Sequence, residues 1–550
     1  MASIFTIGQT ALAAAQAGVS TAGQNIANVS TPGYSRQSVI QTASTPQPLG
    51  FGYLGQGTQV TEIRRVYNDY LGSQLVSAQS GSSELGVQYT QAQQIDNMLA
   101  DPNAGLSPAM QDFFNGLQEV STFPADAPAR QAALSNAQAL TSRFQDIQGR
   151  LEDIRQGVNL QISDNVQTIN QLAQQLVALN QAIDRAQSLT SGKPANDLLD
   201  QREQALLELS QRIKVTVSQQ GGKYTVSIGN GQPLVTGATY HSLKTVASST
   251  DPTRLEVAYD TTGPKAILSA DSLAGGSLGG LLTFRTETLE PAQNALGRIA
   301  LGLASAINTQ QAQGYTLADP ATHGSAFFTL PAMSAVASSA NQGNAAIGAE
   351  LDDASLLTTS DYRLQFLGGQ YRLTRTADNT LLKSSATLSE TLAASSSEGF
   401  SITLSGTPSE GDEFLIRPTA GVAASLTLAI SNTNDIAAAA SANSHGDNSN
   451  ILRMIALQTD KTLGGGTDSY QSAYAKLVNQ IGSTTRQLEA TSTSAATIQK
   501  QAERAMQDVS GVNLDEEAAN LIKYQQAYQA AAKVLQLAKQ MFDSLLSMSQ

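Results

Sequence analysis

Cysteine and tryptophan are both absent from the 550 residues, and histidine occurs three times. Without cysteine there is no disulfide framework, no thiolate metal site and no cysteine nucleophile. That absence fits two readings: chance in a chain rich in Ala, Ser and Gln, or a chain that must stay unlinked while it is exported unfolded. The histidines, His241, His323 and His445, lie in separate segments with no second histidine three to five positions away, so they predict no metal or cofactor site. Positive charge is scarce as well: 32 Lys and Arg stand against 45 Asp and Glu, a formal net charge of -13, with no basic run. Neither nucleic-acid phosphates nor an anionic membrane surface is an expected partner for that balance. No stretch approaches the roughly 18 apolar residues that a membrane span needs. The opening, MASIFTIGQTALAAAQAGVS, has no basic segment and no continuous apolar core. A cleavable secretory signal is therefore not expected, and any exit from the cell would use a route that reads none.

Catalytic signatures are missing too. There is no HExxH, GxSxG, Walker loop or GxGxxG between a strand and a helix. GYLGQG at 52–57 is glycine-rich, but TQVTEIRR follows it, which reads as a strand and not as a phosphate-cradling helix start. Asp412 and Glu413 in SEGDEF form a carboxylate pair that a turn between strands accounts for. The expectation is a protein that is not an enzyme and holds no cofactor or metal.

What is present is concentrated at the two ends. Arg36 is the only charged side chain in the first 61 residues. Phe5, Gly8, Leu12, Ala15, Val19, Ala22, Ile26 and Val29 keep an unbroken three-four spacing that lays a seam along a helix, with Ile4, Ile7, Ala11, Ala14 and Gly18 beside it. STPG then ends the helix, because Pro32 pushes Thr31 out of the helical region and Pro32-Gly33 suits the centre of a type II turn. At the far end, Asn513 with Glu516 three residues on is a capping-box-like start. Leu514, Ala518, Leu521, Tyr528, Ala532, Leu535, Phe542 and Leu546 then follow one seam, interrupted by Gln525 and Lys539, with Tyr524, Ala527, Ala531, Val534, Ala538, Met541 and Leu545 alongside. One seam buries too little to offset ordering a helix of this length, so both ends are expected to be loose until neighbouring subunits cover them. A charge buried between subunits is costly unless paired, which accounts for the uncharged opening and places Arg36 at an interface edge or in solvent.

Between the ends, Tyr89–Leu99, Arg130–Gln187 and Asn196–Arg212 read as helices, punctuated by Gly157 and by the SGKP turn at 191–194. KVTVS, KYTVSIG and RLEVAYD, starting at Lys214, Lys223 and Arg254, alternate as strands, with Gly221-Gly222 as a hairpin turn. A helix returns from about Leu278 to Gln313, a second strand-rich block contains YRLQFLGGQYRLTR and FSITLSGTPSEGDEFLIRP, and helices resume near Asn450. The reading is a multidomain α+β chain: a helical body interrupted by two β-rich insertions, with N- and C-terminal parts that fold together.

NIANVSTPGYSRQ at 25–37, paired with SGVNLDEEAANLIKYQQAYQAAAKVLQ at 510–536, resembles the bacterial flagellar axial proteins. The TPGYSRQ form, with GTQVTEIRRVYNDYL, FPADAPARQAAL, INQLAQQLVALNQAI, PANDLLDQREQALLELS and SGTPSEGDEFLIRP inside the chain, is similar to the hook-associated protein 1 (FlgK) family. The resemblance implies a secreted structural subunit, exported unfolded by the flagellar type III apparatus and assembled as a ring at the distal end of the hook. It implies terminal helices paired as a coiled coil (1–35 with 513–550), a helical body (36–212 with 278–313 and 446–512), and β-rich outer domains at 213–277 and 314–445. The implied partners are other copies of the chain, the hook protein, the next hook-associated junction protein, and a cytoplasmic export chaperone on the C-terminal helical region. Assembly would run through Phe5, Leu12, Val19, Ile26, Leu521, Tyr528, Leu535 and Phe542, with Pro32, Gly33, Tyr34 and Arg36 in the turn after the first helix. Two alternatives stand beside this: another axial protein of the hook or rod, and a secreted surface-binding protein.

Overall fold

The computed structural model describes residues 2–50, 52–101, 105–190, 192–261 and 266–548; Met1 of the opening and Ser191 of the SGKP turn lie outside the described residues. The helices are α1 (Ala2–Ala27), α2 (Asp69–Leu99), α3 (Leu106–Thr122), α4 (Ala127–Leu189), α5 (Asn196–Arg212), α6 (Gly276–Phe284), α7 (Glu290–Gln313), α8 (Leu388–Ser396), α9 (Val422–Ser425), α10 (Ser449–Ala456), α11 (Tyr470–Ser510) and α12 (Leu514–Met548).

The axis of the body is α4, 63 residues long. Asp126 caps it by accepting the Ala129 N–H at 3.0 Å, and Pro128 sits in its first turn, where no N–H is needed. The helix does not break at Gly157. Ala133, Ala137, Leu140, Phe144, Ile147, Leu151, Val158, Ile162, Ile169, Ala173 and Leu176 bury one continuous stripe. Burial on both sides of the glycine outweighs its helix cost of about 1 kcal/mol. Helix α2 begins twenty residues earlier than the apolar spacing indicates, at Asp69, with Asn68 capping its first turn. Its early turns mix Leu71, Leu75 and Val76 with Gly, Ser and Gln, too few apolar residues for a clear period. The helix is held against α11, where the Gln499 amide donates to Gln79 at 2.6 Å and, at the far end, the Tyr474 hydroxyl donates to the Leu99 carbonyl at 3.0 Å.

The helical run at 276–313 passes through one π-helical turn, Arg285–Leu289. Pro291 follows it and has no N–H to give to the preceding turn, so the backbone widens there.

The first β-rich segment is two antiparallel sheets. Val215–Gln220 pairs with Lys223–Ile228 through Gly221-Gly222, both at positive φ, as a two-residue hairpin requires. The sheet is fastened to α4: the Asn180 amide donates to the carbonyls of Tyr224 (3.0 Å) and Gly237 (2.9 Å), and its oxygen accepts the Tyr224 N–H. Val226, Ile228, Leu234 and Leu243 join the same core as the helices.

The second contains a five-stranded antiparallel sheet in the order Ser334–Ala337, Glu413–Arg417, Tyr362–Leu367, Gln370–Arg375 and Thr380–Ser385, beside the two-stranded pairs Ala346–Leu351 with Phe400–Ser405 and Phe328–Thr329 with Thr427–Leu428. Tyr362, Leu364, Leu373, Phe400, Phe414 and Ile416 fill its inner side. Arg417 ties it to the first segment, with Asp251 at 2.9 Å and Asp361 at 3.1 Å.

Asp412 and Glu413 are structural in this setting. Asp412 is buried and accepts the backbone N–H groups of Gln342 (2.8 Å), Gly343 (3.0 Å) and Ser409 (2.8 Å). Burial pushes its carboxyl pKa up, but the bonds from Ser409, Gln342 and Gly343 prevail and hold it below the usual aspartate value. A carboxylate depressed in the folded state contributes stability above its unfolded pKa, which is lost as pH falls through the folded value. Asp412→Asn should lower the melting midpoint of the full chain at pH 7 and flatten the acid loss of stability between pH 4 and pH 2; thermal melts at the two ends of that range check it, and superimposable melts would contradict it.

Candidate assembly site at the paired termini

Helices α1 and α12 pack antiparallel over most of their length. On the α1 side the surface between them is made mostly of small residues. Gly8, Ala14, Ala15, Gly18, Thr21, Ala22 and Asn25 are buried on α1, and Glu517, Ala531 and Ala538 on α12. A Cβ on Gly18 would stand 2.4 Å from the Tyr524 ring, and one on Gly8 3.0 Å from Leu535. Glycine at these two positions is what lets the helix axes approach.

The larger residues named by the three-four spacing lie beside this strip. Leu12, Val19, Ile26, Leu521 and Leu535 are half-buried, whereas Phe5 (51%), Tyr528 (42%) and Phe542 (54%) are exposed. Ile4, Ile522, Leu537, Met541 and Leu545 are exposed with them. Among the described residues, the pair therefore presents several large apolar side chains that its own packing does not cover.

A β-ribbon, Gln37–Ala43 with Thr58–Arg65, runs along another side of α1. It rises from the turn that the sequence announces. Gly33 has φ +77° and the Tyr34 N–H donates to the Thr31 carbonyl at 3.2 Å, closing Thr31–Tyr34 with Pro32 and Gly33 at its centre.

That turn sits in a polar clasp. The Asn25 amide donates to Glu517 (3.1 Å) and to the Gln37 carbonyl (2.9 Å), while its oxygen accepts the Tyr34 hydroxyl (2.8 Å) and the Gln37 N–H (2.9 Å). Arg36 pairs with Glu517 at 2.7 Å and Glu516 at 2.8 Å, and its N–H donates to the Ser510 carbonyl where α11 ends. The cation is thus held between both ends of the chain. Asn513 caps α12 by accepting the N–H groups of Asp515 and Glu516, but the Glu516 carboxylate reaches Arg36 instead of closing a capping box.

On the body side, the Ser35 N–H donates to Asp200 of α5 at 3.0 Å, and Asp200 pairs with Arg65 at 3.1 Å. Glu203 accepts from the hydroxyls of Tyr67 (3.0 Å) and Tyr224 (2.6 Å), which carries the network into the first β-rich segment. Burial raises the Asp200 pKa against the pull of Ser35 and Arg65. Burial, followed by Asp197, Asp200 and Glu517, pushes the Tyr34 hydroxyl up to about 12, so it stays a donor.

Sequence reasoning placed the turn and Arg36 but not Asn25, Glu517, Asp200, Arg65 or Glu203. The available signal was a lone cation in an uncharged stretch, which needs an anion from elsewhere. Elsewhere, no group of three or more His, Cys, Asp and Glu among the described residues could hold a metal ion, and no helix among them is long and apolar enough to cross a membrane.

Two substitutions probe the clasp. Gly33→Val forces a β-branched residue to positive φ and against Gln204, at a cost of about 1–3 kcal/mol. Asn25→Ala strands Glu517, Tyr34 and the Gln37 backbone, again about 1–3 kcal/mol. Both should speed hydrogen exchange in the first turns of α12 while α4 amides stay unchanged; a uniform change along the chain would contradict the assignment.

Comparison with known proteins follows the same architecture. Residues 92–328 match the flagellar hook-associated protein FlgK helical domain, and 336–418 the D2-like domain of flagellar hook-associated protein 1. Residues 5–34 match the flagella basal body rod protein family, and 503–548 the flagellar basal body rod FlgEFG protein C-terminal family. The chain is 36% identical over 550 residues to flagellar hook-associated protein 1 of Escherichia coli (strain K12), covering 100% of both, and 25% identical to that of Bacillus subtilis (strain 168), covering 98% of this chain and 96% of the relative. The solved structure of the flagellar hook junction protein FlgK from Burkholderia pseudomallei covers 80% of this chain and 100% of its own, with a TM-score of 0.74 and 30% identity. The ends follow the plan shared with rod proteins, the interior does not, and the full-length matches decide between them: the chain belongs to the flagellar hook-associated protein 1 (FlgK) family.

Proposed function

We propose that this chain is a structural subunit of the bacterial flagellum that joins hook to filament, held in the axial structure by its terminal helix pair. The observation that carries the reading is the set of exposed large side chains, Phe5, Ile522, Tyr528, Leu537, Met541 and Phe542, on two helices already packed against each other. Apolar surface of that extent on a thin helix pair gains stability when identical neighbours cover it. Clasped at one end to the body and flanked along α1 by the ribbon, the pair is arranged to pack side by side in a ring.

Family membership supports a structural, non-enzymatic role and a place in the flagellum. The finer parts rest on the pattern of the chain. The hook protein would meet one side of the ring and the next hook-associated junction protein the other. Before export the chain would be cytoplasmic, with a chaperone covering α12, whose exposed apolar side chains are an aggregation hazard. A chain without cysteine suits passage through the type III route unfolded.

Two outcomes test this. Cells lacking the protein should build hooks yet shed filament subunits into the medium. Tyr528→Asp, at an exposed position, should shift the stability of the free chain by no more than about 0.5 kcal/mol while leaving hooks without filaments; electron microscopy showing normal filaments would refute the assembly role of this face.

A further inference from the structure

Four arginines, Arg202, Arg285, Arg298 and Arg375, leave a buried Nε–H without an acceptor among the described residues. Three of them are balanced through the rest of the guanidinium. Arg202 stacks on the Tyr224 ring at 3.4 Å, Arg285 pairs with Glu256 at 3.4 Å, and Arg375 pairs with Glu398 at 2.5 Å. Arg298 is not balanced in this way. Among the described residues its one hydrogen bond goes to the Leu357 carbonyl at 3.5 Å, too long to be a strong one, and it joins no ion pair. Asp468 is near enough to favour its charge, yet that carboxylate is held by Lys476 at 2.5 Å. Two cations therefore share one anion, and burial disfavours the charged form of Arg298.

Arg298 and Lys476 line a cleft of about 540 Å³ between α7 and α11, completed by residues 356–359 ahead of the strand Tyr362–Leu367 and by Gly464 and Gly465. A Cβ on Gly464 would stand 3.9 Å from the Arg298 guanidinium, so the loop passes the charge without a side chain to cover it. Glu287, the other charged residue of the lining, is exposed and about three turns away along the same helical run. Between Glu287 and Arg298 that run contributes Ala292 and Ala295, and α11 contributes Leu477 and Ile481. One end of the cleft thus carries surplus positive charge on a planar fork of donors, and the stretch beside it is aliphatic. A carboxylate fits such a fork with two parallel hydrogen bonds. A phosphate dianion would bring more charge than the single surplus cation balances, and a neutral or cationic molecule would leave Arg298 as it is.

We propose that this cleft binds a small organic monoanion, a free carboxylic acid with a short aliphatic tail, whose carboxylate sits on Arg298 beside Lys476. The site is independent of the ring assembly. It lies where the second β-rich segment meets α7 and α11, so a bound acid ties that segment to the body.

Hexanoate is the probe, titrated into the free full chain by calorimetry, with hexanol and hexylammonium as controls at equal ionic strength. The expected result is saturable binding of one hexanoate per chain, roughly tenfold tighter than either control. Hydrogen exchange should slow at 353–360 and 463–467 and stay unchanged in α12. Arg298→Gln should weaken hexanoate binding by roughly tenfold and leave that of hexanol as it was. Gln480→Trp, at an exposed position of the lining, keeps Arg298 and should block the cleft without changing the melt. Where Arg298→Gln does not fold, Gln480→Trp decides alone. Binding that does not saturate, hexanol bound as tightly as hexanoate, protection confined to α12, or full binding by Gln480→Trp or by folded Arg298→Gln would each overturn the site.

Discussion

Arg36 on Glu517, with Asn25 joining Glu517 to Tyr34 and Gln37, decides how both ends of this chain stand on its body. The clasp joins the last turn of α1, the first turn of α12, the end of α11 and, through Ser35 and Asp200, helix α5. Only three residues separate α11 from α12, and the chain leaves α1 through one tight turn. Neither connection alone would hold a helix of 35 residues at a fixed angle. A paired charge with its remaining groups hydrogen-bonded can do so, and removing one partner would leave the other stranded. The long uncharged opening follows from this: its one cation is committed at the base of the helix pair, and the rest of α1 is left free of charges that packing would have to neutralise.

The seam above the clasp separates two tasks that amphipathic helices usually combine. On α1 glycine and alanine carry the contact, receiving Tyr524 and Leu535 of α12, so the axes lie close. Other residues with large transfer energies, Phe5, Ile522, Tyr528 and Phe542 among them, remain exposed. A bundle meant to be stable alone would turn those side chains inward. Large side chains left outside suit a pair whose stability comes from neighbours, with the clasp setting its direction before they arrive.

Much of this was legible in the residues. The Pro32-Gly33 turn, the Gly221-Gly222 hairpin and the α12 start at Asn513 appear where local chemistry dictates them, because each depends on a few adjacent side chains. Spacing also found the two terminal helices and put Gly8 and Gly18 in their seams. What it could not supply is which large residue meets each glycine, Leu535 at Gly8 and Tyr524 at Gly18, because the antiparallel register is set by the fold. Gly157 misled for a different reason: its local cost is real, but 63 residues of buried stripe override it. The clasp was the least legible part. Its partners, Asn25, Asp200 and Glu517, are hundreds of residues apart, and only the fold brings them within 3 Å or so of a common cation and turn.

The most direct measurement is a double-mutant cycle on Arg36→Ala and Glu517→Ala, read as the opening free energy of amides 518–525 by hydrogen exchange in the free chain. A clasp that orients the terminal pair predicts that the two substitutions are strongly non-additive, with a coupling energy of about 1–3 kcal/mol. Additive effects, or α12 amides equally protected in all four chains, would contradict it.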